Sequence, residues 1–239
     1  DWSQCRTASL EPTLDDATID AAEEAAEHMR DYIREVVDHR RAHLGDDLLS
    51  ALLQVEEQGD RLSTPELLSF ALLLYLAGHE TTVNLIGNGT NALLDHRDQL
   101  ERLVADPTLD ANAVEELLRF DSPVQFSRRI ALEPFEVDGH RVEPGQMVMT
   151  GLGAANRDPA KFGPDAEQLD LSRADAREHV SFGSGVHHCL GAALARLEGQ
   201  EVIGRLVRRF PQMERAADPV HNQRLVLRGY DHLPVMLHG

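Results

Sequence analysis

The sequence is short of several residue types, and each shortage excludes a class of protein. It has two cysteines, Cys5 and Cys189, in 239 residues, so a fold stapled by several disulfides is excluded and a reducing cytoplasm is the expected location. The longest apolar run, residues 67–77, is about half as long as a membrane span must be. The first residues are polar, without the apolar stretch of a signal peptide. We therefore expect no membrane association.

Basic residues are also scarce. The 41 acidic and 23 basic side chains give a formal net charge of −18, which argues against nucleic acids and anionic membranes as partners. The charge is uneven, because residues 190–239 carry seven arginines and five acids, or +2, which leaves −20 for the rest. The simpler interpretation of this segment is a solvated arginine-rich helix. The alternative is a docking surface for an acidic partner.

The remaining pattern is that of a globular, mainly helical chain. Apolar residues recur every three or four positions from Ile19 to Val37, and a shorter helix begins at Leu48 and is predicted to end at residues 58–60. Ser63 and Glu66 form a capping pattern that starts a long helix over about 65–95. Its first half is apolar nearly all round and is expected to be buried. Its centre, residues 77–82 (Ala-Gly-His-Glu-Thr-Thr), breaks the pattern and marks a functional segment.

The second half of the chain adds a minor sheet. Helices are predicted over 98–106, 111–120 and about 190–210, and strands between about 130 and 150 around a turn at Asp138-Gly139. Residues 151–164 are expected to form an ordered loop, and 225–227 and 233–237 short strands. The fold class is therefore mainly α with a small β-sheet, in a single domain over 1–239.

Cys189 lies in a glycine-rich loop, residues 182–191, directly before the last predicted helix. A helix N-terminus and nearby histidines favour the thiolate form, and glycines let backbone amides approach the sulfur. Three interpretations of this cysteine remain open: a buried structural thiol, a zinc site with His179, His187 and His188, and a single axial thiolate ligand to haem iron.

The spacing Phe-x-x-Gly-x-x-x-Cys-x-Gly favours the third interpretation. With this composition it would occur by chance in roughly 3 of ten thousand such chains. It is the proximal loop of the cytochrome P-450 family, and the chain resembles a bacterial member of this family of haem-thiolate monooxygenases. Residues 77–82 resemble the family's oxygen-activating segment, and Glu116 and Arg119 resemble its Glu-x-x-Arg pair, in the family's order. The resemblance begins at about Ile19 and implies the P-450 fold without its N-terminal part.

The resemblance also implies roles for particular residues. Cys189 would be the axial ligand of haem b (iron protoporphyrin IX), and Glu80 and Thr81 would deliver protons, the first as a carboxylate relay and the second as a hydroxyl that positions a water. Glu116 and Arg119 would form a buried structural pair. The remaining positions that the resemblance assigns to haem binding are His187, Arg129, Phe182, Gly183, Gly185, Ala77 and Gly78. For Arg129 the alternative is a charge on a strand edge.

The sequence departs from the family in the loop that precedes the Cys segment. Many members have an arginine there that completes a network with the Glu-x-x-Arg pair, and the stretch aligned here places Gln168 at that position. A neutral amide cannot replace a guanidinium, so we expect Glu116 to lose one partner.

Three functions follow from these observations. The first is a monooxygenase that inserts one oxygen atom from O2 into a small or medium organic substrate, with electrons from a ferredoxin-type partner and its reductase. The external donor is expected because no Gly-x-Gly-x-x-Gly nucleotide fingerprint follows a strand. The second is a haem- or ligand-binding remnant without turnover. The third is a zinc-binding structural protein.

Overall fold

The computed structural model describes residues 2–54 and 62–238, and helices dominate them, as the sequence predicts. The predicted helix end at residues 58–60 lies outside the described residues. The helices are α1 (Trp2–Ala8), α2 (Asp16–Ala42), α3 (Leu48–Gln54), α4 (Thr64–Asp95), α5 (Arg97–Ala105), α6 (Asp110–Phe120), α7 (Leu152–Ala155), α8 (Pro159–Phe162) and α9 (Ala192–Arg209). The strands are β1 (Phe126–Ile130), β2 (Phe135–Val137), β3 (His140–Val142), β4 (Met147–Gly151), β5 (Glu214–Arg215), β6 (Val220–His221), β7 (Tyr230–His232) and β8 (Val235–Met236).

The chain contains two compact units, Asp1–Glu80 and Thr81–Gly239. In the first unit, α1 and α3 pack against α2. Helix α4 begins in the first unit and ends in the second. The expectation of a single domain stays a prediction.

Capping residues set the starts of the two longest helices. The Asp15 carboxylate accepts a hydrogen bond from the backbone N–H of Thr18 at the start of α2. At α4, the Ser63 N–H donates to Glu66 Oε2 at 2.7 Å and the Glu66 N–H donates to Ser63 Oγ at 3.4 Å, which confirms the predicted capping pattern. The predicted burial of the first half of α4 is wrong at Leu73 and Tyr75, which are exposed. An apolar pattern alone does not say whether a neighbour covers every face.

The core of the second unit lies where the end of α4 meets α5, α6 and α9. Its fully buried side chains include Leu93, Leu100, Leu117, Ile203 and Val207. Glycine makes the close approach of α9 possible, since a Cβ at Gly199 would lie 3.1 Å from a Val114 methyl and 3.2 Å from a Leu85 methyl.

The sheet content is small and divided into antiparallel pairs. β1 pairs with β4 and β2 with β3 as separate two-stranded sheets, so the expectation of one small sheet over about 130–150 is wrong. The predicted turn is present, with positive φ angles of 48° at Asp138 and 77° at Gly139. β5 pairs with β8 and β6 with β7. In the predicted strand 225–227, Leu227 forms an isolated bridge with Val124, and the predicted strand 233–237 is reduced to β8.

Residues 151–164 are not a plain loop, because they contain the short helices α7 and α8. Helix α8 begins where the Asp158 side chain accepts a hydrogen bond from the Ala160 N–H and Pro159 takes the first helical position. Asp158-Pro159 is therefore a helix-start signal inside the segment expected to be a loop.

Two further features complete the fold. Gly229 lies against the buried amide of Asn84, so closely that a Cβ at position 229 would be 2.1 Å from Asn84 Oδ1. None of the helices within residues 2–54 and 62–238 combines the length and apolar character that a membrane crossing needs.

Candidate haem-thiolate site

The loop that carries Cys189 is shaped by glycines and closed by its own backbone. Gly183 and Gly185 have φ angles of +67° and +66°, a region that side chains with a Cβ rarely adopt. The Cys189 N–H donates to the carbonyl of Phe182 at 2.9 Å, and the Gly183 N–H donates to the carbonyl of Val180 at 2.8 Å. A 3₁₀ turn from Gly185 to His187 leads to Cys189, and α9 begins three residues after the cysteine rather than one.

The tip of this loop presents a thiol among apolar side chains. Cys189 is exposed, and the flanking Val186 and Leu190 are 98% and 80% exposed. Phe182 is half-buried, and its ring packs on the apolar cluster of Leu85, Val114 and Leu118. The described residues therefore offer one soft sulfur donor at an open apolar surface.

The zinc interpretation does not agree with the geometry. Both ring nitrogens of His179 already make hydrogen bonds inside the protein. Nε2 bonds Glu115, and Nδ1 accepts from the Ser181 N–H. Within residues 2–54 and 62–238, no group of three or more His, Cys, Asp or Glu side chains is arranged to hold a metal ion.

The residues expected at the haem edge lie at exposed positions. Arg129 is on β1, and its guanidinium donates to Ser127 Oγ at 2.6 Å and to its neighbour's backbone carbonyl. His187 is exposed in the 3₁₀ turn of the Cys189 loop. Ala77 and Gly78 are exposed on α4, and no described atom lies within 4 Å of where a Cβ at Gly78 would stand.

The proposed proton-delivery residues are consecutive on α4. Glu80 is 7% exposed and Thr81 is half-buried. The next residue, Thr82, donates its hydroxyl proton to Glu198 Oε2 at 3.1 Å. Sequence reasoning missed Glu198, because a contact between residues this far apart in the chain leaves no periodic signal.

Glu116 and Arg119 form a fully buried ion pair on α6. Arg119 Nε donates to Glu116 Oε2 at 2.7 Å and Nη2 to Oε1 at 2.9 Å, a two-point pairing. The remaining guanidinium hydrogens reach backbone carbonyls of Asn156, Ala166 and Gln168 at 2.7–3.0 Å. The arginine thus holds two loop segments against the helix.

Comparisons with known proteins show what this chain is similar to. The cytochrome P450 family model matches residues 104–228. The chain is 47% identical over 209 residues to the 6-deoxyerythronolide B hydroxylase of Saccharopolyspora erythraea, a match that covers 86% of this chain and 51% of that protein. It is 46% identical over 229 residues to the vitamin D(3) 25-hydroxylase of Pseudonocardia autotrophica, covering 94% and 56%.

Solved structures match over nearly the whole chain. P450BioI in complex with an acyl carrier protein ligated to hexadec-9Z-enoic acid superposes with a TM-score of 0.92 at 37% identity, covering 99% of this chain and 60% of that one. The cytochrome P450 PksS of Bacillus subtilis gives 0.90 at 42% identity, covering 100% and 61%. The chain belongs to the cytochrome P450 family. It spans about half the length of the curated relatives it matches.

The family implies a haem group, and the residues of this P450 chain fit one. A haem with a thiolate ligand needs one cysteine sulfur that is accessible and free of competing ligands, beside apolar surface that the porphyrin can cover. Cys189, with Val186 and Leu190 beside it, provides this combination.

The expected loss of a Glu116 partner at Gln168 is wrong. Arg173 supplies the second guanidinium of this P450 network: its Nε lies 3.3 Å from Glu116 Oε1, and its Nη2 reaches the Asp165 carboxylate at 3.2 Å. The same Glu116 oxygen accepts the Asp170 N–H. The alignment with the family points to Gln168, five residues before Arg173, and a turn closed by the Arg173 N–H and the Asp170 carbonyl lies between these two positions.

A second buried carboxylate lies next to this pair and was not predicted. Glu115 is 1% exposed; its Oε1 accepts from Arg177 Nε at 3.1 Å and Arg196 Nε at 2.8 Å, and its Oε2 bonds His179 Nε2 at 3.1 Å. Burial alone raises the pKa of Glu115, but the bonds from His179, Arg196 and Arg177 outweigh it and lower that pKa to about 2.

Proposed function

We propose that this chain carries the haem-binding part of a monooxygenase, with Cys189 as the axial thiolate ligand of haem b. The shape of the Cys189 loop, with its two positive-φ glycines and its outward thiol, is the observation that carries the proposal. When bound, the haem supplies the activation of O2, and a thiolate ligand pushes electron density that favours O–O cleavage. The chain's own residues then anchor the cofactor and deliver protons.

Cofactor anchoring is assigned to cationic and imidazole donors. Arg129 and His187 are exposed donors that suit the two propionate carboxylates. Phe182, Gly183 and Gly185 shape the loop on the thiolate side. Ala77 and Gly78 leave α4 without bulky side chains at the segment assigned to oxygen.

Proton delivery is assigned to Glu80 and Thr81. A carboxyl group can exchange protons with water, and a neighbouring hydroxyl can orient that water toward the reacting oxygen. The burial of Glu80 suits a site from which bulk water is excluded.

The substrate class is proposed from the names of two relatives. Two relatives carry names of hydroxylases that act on organic molecules, so a small or medium organic substrate is proposed. A ferredoxin-type protein with its reductase is proposed as electron donor, and the cytoplasm as the location.

Replacing the proposed ligand tests the central claim. The reduced, carbon-monoxide-bound protein should show the red-shifted band of a haem thiolate, and Cys189→Ser should abolish that band because a hydroxyl is not a thiolate donor. Cys5→Ser, the matched control in the other unit, should keep it. The proposal fails if the Cys189 variant retains the band.

Replacing Thr81 tests proton delivery. Thr81→Ala should bind substrate nearly as the parent does, yet form product about 10²–10⁴-fold more slowly, with electrons lost to hydrogen peroxide. Ser69→Ala, which removes an exposed hydroxyl earlier on the same helix, is the control and should remain coupled. Product yield per electron is the measurement, and an equal yield in parent and Thr81→Ala would contradict the assignment.

A further inference from the structure

Glu115 connects the two ends of the Cys189 loop to helix α6. His179, ten residues before the cysteine, and Arg196, seven residues after it, both bind the Glu115 carboxylate. Arg177 adds a third donor, so the acceptor sites of this buried carboxylate are well occupied.

The histidine link has a fixed orientation. The Ser181 N–H donates to His179 Nδ1 at 3.1 Å, so the proton of the neutral ring is on Nε2, where it points at Glu115 Oε2. Ser181 is itself held, because its hydroxyl donates to the Leu118 carbonyl and accepts from Asn156 Nδ2, both at 2.7 Å. The chain that leads into the Cys189 loop is therefore pinned to α6.

The arginine link reaches the loop from the other side. Besides binding Glu115, the Arg196 guanidinium lies 4.5 Å from the centre of the Phe182 ring, a cation–π distance. The Phe182 carbonyl is the group that accepts the Cys189 N–H. Phe182 therefore bonds the cysteine backbone through its carbonyl and contacts Arg196 through its ring. Because Glu115 binds Arg196, it acts on the position of Phe182.

We propose that Glu115 is a positioning residue for Cys189: by tying His179 and Arg196 to α6, it holds Phe182 in place and fixes where the sulfur stands. This rests on the proposed function, because a fixed sulfur matters only for a ligand that must stay bound to iron. Glu115 is separate from the neighbouring ion pair, since the partners of Glu116 are Arg119, Asp170 and Arg173 and none is shared.

The test is Glu115→Gln, which keeps the shape and removes the charge. Charge-assisted hydrogen bonds are strong enough that their loss should speed backbone amide hydrogen exchange in residues 180–190 about 10–100-fold. In the carbon-monoxide-bound protein, part of the thiolate band should shift to the position typical of a neutral thiol. Glu201→Gln, which removes an exposed charge on α9, should change neither measurement.

The outcomes separate this inference from the proposed function. If the parent chain shows no thiolate band, the haem assignment fails. Amide hydrogen exchange at residues 180–190 then still tests whether Glu115 holds the loop in place. If exchange there is the same in Glu115→Gln and Glu201→Gln, the positioning role is wrong. If Glu115→Gln unfolds throughout, Arg196→Gln decides, because Arg196 is partly exposed and its loss breaks one link only. Unchanged exchange in that variant would overturn the proposal.

Discussion

The Arg119 guanidinium binds four polar groups, one on its own helix and three backbone carbonyls elsewhere in the chain. It neutralises Glu116 and binds three backbone carbonyls, all without exposure to water. Without it, the buried Glu116 would keep only Arg173 and the Asp170 N–H as partners, and the three carbonyls would lose this donor, which is costly. We therefore propose that the pair specifies the local fold rather than a chemical step.

Arg119→Ala should accordingly lower the free energy of unfolding by about 3–5 kcal/mol, enough to give aggregate or apoprotein. Urea unfolding followed by circular dichroism is the measurement. Arg205→Ala, which breaks an exposed pair with Glu201, should cost about 0–1 kcal/mol. A folded, haem-loaded Arg119→Ala protein as stable as this control would contradict the structural role.

Helix α9 connects the cysteine loop to the core, and its packing depends on one small residue. At Gly199 the helix touches α6 through Val114 and α4 through Leu85, at distances so short that a larger side chain would have to push these methyl groups aside. Close-packed interiors do not absorb added methyl groups without moving neighbours.

Gly199→Val should lower the free energy of unfolding by about 1–3 kcal/mol through overpacking. Arg205→Val places the same branched residue at an exposed site of the same helix and reports its intrinsic helix penalty, which is only a few tenths of a kcal/mol. Thermal unfolding of both variants separates packing from propensity. Equal losses would show that α9 is not tightly packed at position 199.

Each kind of sequence signal acts over its own range along the chain. Helix α4 and the turn at Asp138-Gly139 were predictable because caps, periodicity and turn residues act over a few positions. The loop around Cys189 was predictable from its spacing. Arg173 and Glu115 were not, because their partners are set by how distant segments pack.

The charge of the whole chain bears on how it would receive electrons. Against a net charge of −18, the C-terminal segment is positive, and one or two of the α9 residues Arg196, Arg205, Arg208 and Arg209 are expected to contribute to a docking surface. The structure divides them: Arg196 is bound to Glu115 and Arg208 to Asp110 at 2.6 Å, whereas Arg205 and Arg209 are exposed.

Arg209→Ala should slow reduction by a ferredoxin-type donor about 2–5-fold at low salt, and added salt should erase the difference, because exposed charges act mainly on the association rate. Arg34→Ala, which removes an exposed arginine from α2, should leave the rate unchanged. Stopped-flow reduction at several ionic strengths is the measurement. A rate independent of salt in all variants would argue against this surface as the docking site.

Positions 84 and 229 are not free to evolve independently. The amide of Asn84 occupies the space that a side chain at position 229 would need. A methyl group at 229 therefore forces the Asn84 amide to move aside, or favours a smaller residue at position 84. Among related chains the two positions should covary, as a bulky residue at one excludes a bulky residue at the other.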